Sequence, residues 1–344
     1  MPPLRLGVLG CANIARTFVR DVAPSRSATV VAVASRDAAK AAAFAREFGL
    51  PRHHGSYEAL LADAEVDAIY LPLPNSLHAE WAVKAAEAGK HVLCEKPLAP
   101  TLAEAQAMFA AARRAGVMLL EAYPYWFQPQ TGELVRLLQA GAIGTPRHVH
   151  AAFGFTMAKP QGNIRMSPEL GGGALLDAGS YPLSLVRLVM GEAPVRVRAV
   201  ARWAPTGVDI GMTATLHYAD GRQALIECAM DAGMHRHALI VGSAGTIETE
   251  YLNHTSDEAQ GNALGHLPSL MRVRRSALPV PFESVRSGCG SGFRFAAEAF
   301  ARVVAAGDAA AIERAAAASI DIAATLEALA MSARQRREVA VARS

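Results

Sequence analysis

The stretch Gly7-Val8-Leu9-Gly10-Cys11-Ala12-Asn13-Ile14-Ala15 decides the fold. It joins a β-rich run, Leu4–Leu9, to a helical pattern that starts near Ala12 and runs to Val22. Laid over the G-x-G-x-x-G/A spacing, the three special positions are Gly10, Ala12 and Ala15. Gly10 permits a tight turn, Ala12 must let the backbone approach a pyrophosphate, and Ala15 allows helix and strand to pack closely. The first N–H groups of the helix have no partners inside it, so the turn, with Cys11, Asn13 and Ile14, can cradle an anion. Alanine at the middle position departs from the pattern, and an ordinary strand-to-helix turn is the bland alternative. The next segments of the chain choose between the two.

Thr29–Ala34 (TVVAVA) is an unbroken apolar run, as expected of a parallel strand covered on both faces. A helix from Asp37 to Phe48 ends at Gly49, Ser56 caps a short helix through Leu61, and Asp67–Leu71 is strand-like again. Asn75 opens a helix that stops at Gly89, and His91–Cys94 is the next strand. Thr101 and Glu104 form a capping box for a helix to Ala115, closed by Gly116, and Val117–Glu121 completes the series. This alternation predicts an α/β fold whose N-terminal domain, residues 1–122, is a Rossmann domain with a doubly wound parallel sheet. Ligands of such sheets bind outside the carboxyl ends of the strands.

After Tyr123-Pro124 the pattern changes. A helix over Glu133–Ala140 precedes long alternating runs at His148–Phe155, Val195–Trp203, Met212–Tyr218, Arg222–Met230 and His237–Val241, several of them separated by turn signals. Two alanine-rich helices come next, Phe293–Ala305 and Ala309–Arg336, the second with one packed face through Ile312, Ala316, Ser319, Ile322 and Leu326. Residues 123–344 are therefore expected to form a C-terminal α+β domain built on a large, mostly antiparallel, open-faced sheet.

Bulk properties restrict the function. A chain of 344 residues, 51% hydrophobic and 19% charged, can bury a large core and divides naturally into two domains. Lys plus Arg number 34 against 31 Asp plus Glu, with no dense basic block, which argues against a nucleic-acid partner. The basic residues at Arg334–Arg337 suit the end of a helix. Cys11, Cys94, Cys228 and Cys289 are scattered without metal or redox spacing, and no apolar export segment is visible, so reduced thiols and a cytoplasmic location are expected. Glu313, Arg314, Asp321 and Glu327 interrupt the alanine-rich tail, so no membrane span is expected. His235 and His237 would share a strand face without a third ligand, and no metal is expected.

The strand ends carry the candidate chemistry. A dinucleotide domain that takes NAD usually has an acid after its second strand, whereas here the residues are Ser35-Arg36-Asp37. Ser35 can hydrogen-bond a 2′-phosphate, Arg36 can pair with it and stack on adenine, and Asp37 suits a helix cap. NADP is the favoured cofactor with NAD possible, a solvated turn being the bland alternative. Leu73 and Asn75 lie on the ligand-facing edge. His78, in the first helical turn beyond them, reads as a cofactor-site residue or as a group behind it. Glu95-Lys96-Pro97 ends another strand and points a cation into the crevice, where it can polarise an oxygen or lower a neighbour's pKa. Cys11 beside the dinucleotide turn is either an oxidation-sensitive thiol or a small packing residue.

Taken together, GVLGCANIA, LPNSLH, CEKPLAPTLAEA, GVMLLEAY and Pro168-Glu169-Leu170-Gly171-Gly172-Gly173-Ala174-Leu175-Leu176-Asp177-Ala178-Gly179-Ser180-Tyr181-Pro182 resemble the Gfo/Idh/MocA oxidoreductase family over nearly the whole length. The last motif is similar to the D-x-G-x-Y-P form of its glucose–fructose oxidoreductase and dihydrodiol/D-xylose dehydrogenase branches. The resemblance implies NADP(H)-dependent hydride transfer at a hydroxyl or carbonyl carbon of a sugar, cyclic polyol or dihydrodiol. It also implies that Tyr181 acts as general acid/base, with Lys96 lowering its pKa and Asp177 orienting the lysine or a substrate hydroxyl. A buried capping acid is the alternative for Asp177. The resemblance further implies a cis Lys96–Pro97 bond and a homodimer or homotetramer joined through the C-terminal sheet. Gly179 and Pro182 predict a helix break near Gly179. Trp126 stands where the family's branch often has Arg, and Gln128 where it often has His. Trp126 can stack on a substrate ring or belong to the core, and Arg165 can reach a substrate or form a salt bridge. A non-catalytic NADP(H) sensor on the same fold is the competing function.

Overall fold

A computed structural model of the chain describes residues 2–342. The first sheet has six parallel strands, β1 (Leu4–Leu9), β2 (Ala28–Ala34), β3 (Arg52–His54), β4 (Ala68–Leu71), β5 (His91–Glu95) and β6 (Leu119–Ala122). Their spatial order is β3-β2-β1-β4-β5-β6, the doubly wound arrangement. The connecting helices are α1 (Asn13–Val22), α2 (Ala38–Phe48), α3 (Tyr57–Leu61), α4 (His78–Glu87) and α5 (Leu102–Ala115). Local chemistry sets their ends. Asp37 accepts from the backbone N–H groups of Ala39 and Lys40 at 3.0 and 3.1 Å, and Ser56 from that of Ala59 at 3.1 Å. Gly49 closes α2 in the left-handed conformation at φ +64°.

Beyond α6 (Pro129–Gln139), the second sheet contains nine strands. They are β7 (Pro146–Thr156), β8 (Arg196–Trp203), β9 (Asp209–His217), β10 (Gln223–Ala229), β11 (Asp231–Gly242), β12 (Thr246–Thr249), β13 (Met271–Arg274), β14 (Glu283–Ser284) and β15 (Val339–Ala340). The order is β14-β13-β12-β11-β7-β10-β9-β8-β15. Every pairing is antiparallel except β7 with β10, so the sheet is mostly antiparallel, as expected, with one parallel junction at its centre. The four short strands β12 to β15 escape the sequence pattern because two to four residues show no period. β3 escapes it because its Arg-His-His carries no apolar face.

Helix α7 (Ser180–Met190) covers one face of this sheet, against β7 and β10. The opposite face stays open: along β8, Arg196, Arg198, Val200 and Arg202 are exposed and alternate with more buried residues. The last helices are α8 (Gly292–Ala306) and α9 (Ala309–Gln335). An 18-residue window of α9 has the length and hydropathy of a membrane span, so its charges alone do not exclude one; 61% of that window is nevertheless buried within the protein.

The chain divides into two compact units, and the division differs from a single crossing at residue 122. One unit holds residues 1–99, 103–124 and 291–319; the other holds 100–102, 125–290 and 320–344. The reason lies in α8, whose Phe293, Ala297 and Phe300 are buried in the same core as Leu6, Val8, Phe18 and Tyr70 of the parallel-sheet unit. Phe18 stacks on Tyr70 with centroids 3.6 Å apart and meets Phe293 edge-on at 5.8 Å. The Rossmann core is thus completed by a segment nearly 170 residues further along the chain. Phe300→Ala is expected to lower the stability of this unit by about 3–5 kcal/mol through the cavity it leaves. Urea titration followed by a probe in the parallel-sheet unit would measure it.

Candidate active site

In the parallel-sheet unit the carboxyl ends of β1, β2, β4 and β5 carry the sequence-predicted residues. Gly10 has φ +110°, a conformation L side chains rarely adopt, and a Cβ there would sit 3.0 Å from Leu73 Cδ2. Glycine therefore answers both the turn and the approach of the β4 loop. Ala12 caps α1 without a side-chain acceptor, and no acid occupies its first turn, so backbone N–H donors are left for an anion. Ala15 is fully buried against the sheet. These features fit a dinucleotide pyrophosphate.

At the end of β2, Ser35 is buried and its hydroxyl accepts from the Asp37 N–H at 3.2 Å. Asp37 uses one carboxylate oxygen to cap α2, the role the sequence suits it to. Arg36 is exposed, and among the described residues no carboxylate pairs with it; its charge instead acts on the Tyr57 phenol. The Cys11 thiol lies 3.8 Å from the Lys40 carbonyl, and burial raises its pKa. Cys11 therefore fits the packing role better than that of a reactive thiolate.

The Lys96–Pro97 bond is cis. Three buried side chains fix the loop around it. Tyr70 donates to Glu95 Oε1 at 2.7 Å, making Glu95 a support at the strand end. Glu121 of β6 accepts from the Leu98 N–H at 2.8 Å. His78 is fully buried, with Nδ1 2.9 Å from the Pro97 carbonyl and Nε2 2.9 Å from the Leu73 carbonyl. Burial lowers its pKa, so the neutral ring donates to one of these carbonyls and lies against the other, and its full burial fits a group behind the cofactor site better than a direct contact. Asn75 opens a single 3₁₀ turn, Asn75–Leu77, ahead of α4.

In the sheet-and-helix unit, the break expected near Gly179 is a π-helical turn, Leu175–Gly179, that runs directly into α7. Pro182 cannot donate across this junction, and the π turn just before it accommodates the interruption of the helical hydrogen-bond ladder. The glycine run before the turn has steric causes. A Cβ on Gly173, at φ +113°, would lie 2.3 Å from Asp209 Oδ1, and one on Gly179 would lie 2.8 Å from Cys228 Sγ. Asp209 uses its other oxygen to accept from the Leu175 N–H at 2.6 Å and so holds the start of the turn. Burial raises its pKa, against the backbone donors.

Tyr181 is only 6% exposed. Its hydroxyl accepts from Asn253 Nδ2 at 3.0 Å, and the Arg236 guanidinium lies 4.3 Å from its ring centroid. Asp177 pairs with Arg165 at 2.5 Å, so Arg165 is an ion-pair partner and Asp177 is held on the side of the turn. Trp126 donates to the Tyr125 hydroxyl at 2.7 Å; Tyr125 in turn contacts Ser184 at 2.7 Å, and Ser184 donates to the Tyr181 carbonyl at 2.7 Å. Trp126 is thus half-buried and tethered. Gln128 is buried and donates to the Asn253 and Gly290 carbonyls, each at 2.8 Å.

Sequence patterns missed Asp209, Asn253 and Arg236. Only Arg236 left a signal, since it alternates with His235 and His237 and so places a cation on the opposite face of its strand.

Comparison with known proteins fits both halves. An oxidoreductase family with an NAD-binding Rossmann fold matches residues 4–123, and the GFO/IDH/MocA C-terminal domain matches residues 132–248. A D-xylose 1-dehydrogenase (NADP(+)) of Haloferax volcanii is 40% identical over 249 residues, 71% of this chain and 75% of the relative. A trans-1,2-dihydrobenzene-1,2-diol dehydrogenase of Danio rerio is 39% identical over 71% of this chain and 74% of its own. The crystal structure of a 3-ketoreductase from Actinomadura kijaniata, solved with NADP and TDP-benzene, superposes with a TM-score of 0.83 at 32% identity, covering 96% of this chain and 98% of that one. The fold is that of these dehydrogenases and reductases. The chain belongs to the Gfo/Idh/MocA oxidoreductase family.

Glu121 gives this site a measurable pH signature. Burial pushes its carboxyl from 4.5 up to about 7, against the Ser319, Leu98 and Tyr123 hydrogen bonds and the Lys96 charge. The folded chain therefore holds this proton more tightly than the unfolded one. The associated stability is fully present below about pH 4.5 and is lost as pH rises through about 7, a span worth roughly 3 kcal/mol. Glu121→Gln is expected to be more stable than the parent at pH 8, with the difference closing toward pH 4.5. Denaturation at both pH values would check this.

Proposed function

We propose that this chain is a cytoplasmic NADP(H)-dependent dehydrogenase or reductase acting on a hydroxyl or carbonyl carbon of a sugar, cyclic polyol or dihydrodiol. The observation that carries the proposal is the Tyr181 hydroxyl, held by an amide donor on a helix fixed by Asp209, in a wall of tyrosines. A structural tyrosine needs no such placement, and a sensor needs no acid/base group. The substrate range comes from the relatives, which act on a pentose and a dihydrodiol and include a ketoreductase.

When bound, the nicotinamide supplies or accepts the hydride. The turn at Gly10–Ala15 holds the pyrophosphate. Ser35 and Arg36 would hold the 2′-phosphate, the guanidinium attracting the anion that a carboxylate at this place would repel. During oxidation Tyr181 takes the proton of the substrate hydroxyl; during reduction it returns that proton to the carbonyl oxygen. Lys96 is proposed as the cation that favours the ionised phenol and polarises the substrate oxygen. Asp177, held by Arg165, orients a substrate hydroxyl, and Trp126 supports the aromatic wall a ring can lie against.

The test offers NADP⁺ or NAD⁺ with aldoses, inositols and trans-dihydrodiols to the purified chain. Turnover is expected with NADP⁺ for one of these classes. Tyr181→Phe should lose about 10²–10⁴-fold in kcat while still binding NADPH. Arg36→Glu should lose roughly 10–100-fold in NADP⁺ preference, the worth of one charge-assisted phosphate contact. Tight NADPH binding without turnover on any class would replace this proposal with the sensor.

We also propose a homo-oligomer assembled through the open face of the nine-stranded sheet, where Val200 is 71% exposed and Leu225 lies in the same sheet. Light scattering should give twice or four times 36.2 kDa, falling to a single chain in Val200→Asp.

A further inference from the structure

The guanidinium of Arg236 occupies an unusual place for a cation. It projects from β11 among four aromatic rings, 4.3 Å from the centroid of Tyr181, 4.7 Å from Tyr251, 4.8 Å from Phe153 and 5.5 Å from Tyr125. Its Nε is shut off from solvent without a hydrogen-bond partner, and among the described residues no carboxylate pairs with it. Ring faces attract a cation but do not neutralise it, and a buried unpaired charge is costly. Such a charge is tolerable where a negative charge forms beside it.

The hydrogen bonds show where. Arg236 donates through one terminal nitrogen to Asn253 Oδ1 at 3.0 Å. A guanidinium can only donate, so the Asn253 amide must turn its oxygen to Arg236 and its nitrogen to the other side. On that side Nδ2 meets the Tyr181 hydroxyl at 3.0 Å. The backbone carbonyl of Asn253 is pinned in addition by Gln128. The neighbouring phenols are committed to staying neutral: Tyr251 donates its proton to the Ala152 carbonyl at 2.7 Å, Tyr125 holds Ser184, and burial pushes both pKa values up. Asp177, four residues before Tyr181, is engaged by Arg165.

We propose that Arg236 and Asn253 are positioning residues for proton transfer: Arg236 locks the Asn253 amide so that it donates to the Tyr181 oxygen, and its unneutralised cation favours the phenolate over the phenol. This rests on Tyr181 being the acid/base group. In oxidation the substrate O–H bond breaks and its proton passes to the Tyr181 oxygen as the hydride leaves the carbon for the nicotinamide. The pair sets how readily Tyr181 receives it, in addition to the part proposed for Lys96.

The test is a pH titration of the full chain labelled with [ζ-¹³C]tyrosine, which gives seven signals, that of Tyr181 being the one lost in Tyr181→Phe. Asn253→Leu should raise the Tyr181 midpoint by about one pH unit, the usual worth of a hydrogen bond to the charged form. Arg236→Met should raise it further, and Arg236→Lys should restore most of it. At pH 7, kcat for oxidation should fall about tenfold in Asn253→Leu with KM little changed, the rate equivalent of one pH unit. An unmoved midpoint in Asn253→Leu would overturn the proposal, and this variant, in a partly exposed loop, decides the matter even if Arg236→Met fails to fold. The titration needs no turnover. A shifted midpoint in a chain inactive on every substrate would keep the relay and sink the dehydrogenase assignment. An active enzyme with an unmoved midpoint would sink the relay alone.

Discussion

One buried imidazole joins the two loops on which the chemistry of the parallel-sheet unit depends. His78 places one ring nitrogen 2.9 Å from the Leu73 carbonyl and the other 2.9 Å from the Pro97 carbonyl; burial lowers its pKa, and the neutral ring donates to one of the two. Strand ends in a parallel sheet leave backbone groups that the ladder does not satisfy, and a buried unsatisfied carbonyl costs on the order of 1–3 kcal/mol. By meeting that demand at one carbonyl and packing against the other, His78 joins the two loops from inside. Leu73 lies close over Gly10, where a Cβ would sit 3.0 Å from its Cδ2. Glu121 and Tyr70 act in the same way on the residues to either side, so the lysine is presented by a loop held at Glu95, Pro97 and Leu98.

The other unit solves the same problem with a carboxylate and glycines. Asp209 accepts from the first N–H of the π turn and can approach only because Gly173 has no side chain. Gly179 lets the turn settle on Cys228 of the sheet. The extra residue of a π turn rotates the helix that continues from it, so Tyr181 emerges toward Arg236 and Asn253 while Asp177 is left to Arg165. Small residues here serve close approach, and the bulky aromatic wall of Tyr125, Phe153 and Tyr251 supplies a low-dielectric setting in which one cation and one amide have large effects.

This division of labour suits a frame whose relatives act on different substrates. Among the groups proposed for the cofactor and the proton, Gly10, Ser35 and Tyr181 sit in tightly packed surroundings. The Trp126 and Arg165 side chains are held by the Tyr125 hydroxyl and the Asp177 carboxylate.

Much of this protein is written in local sequence. Apolar runs such as TVVAVA, the caps at Asp37 and Ser56, and the Gly10-x-Ala12-x-x-Ala15 spacing determine the parallel sheet and its nucleotide turn, because each depends on residues within one or two turns of chain. Tertiary structure alone decided that α8 completes the Rossmann core, that β7 pairs in parallel with β10, that His78 faces inward, and that Arg236 and Asn253 meet Tyr181. These contacts link residues tens to hundreds of positions apart, where loop closure rather than periodicity brings partners together. A strand shows which face a residue takes but not what waits on that face.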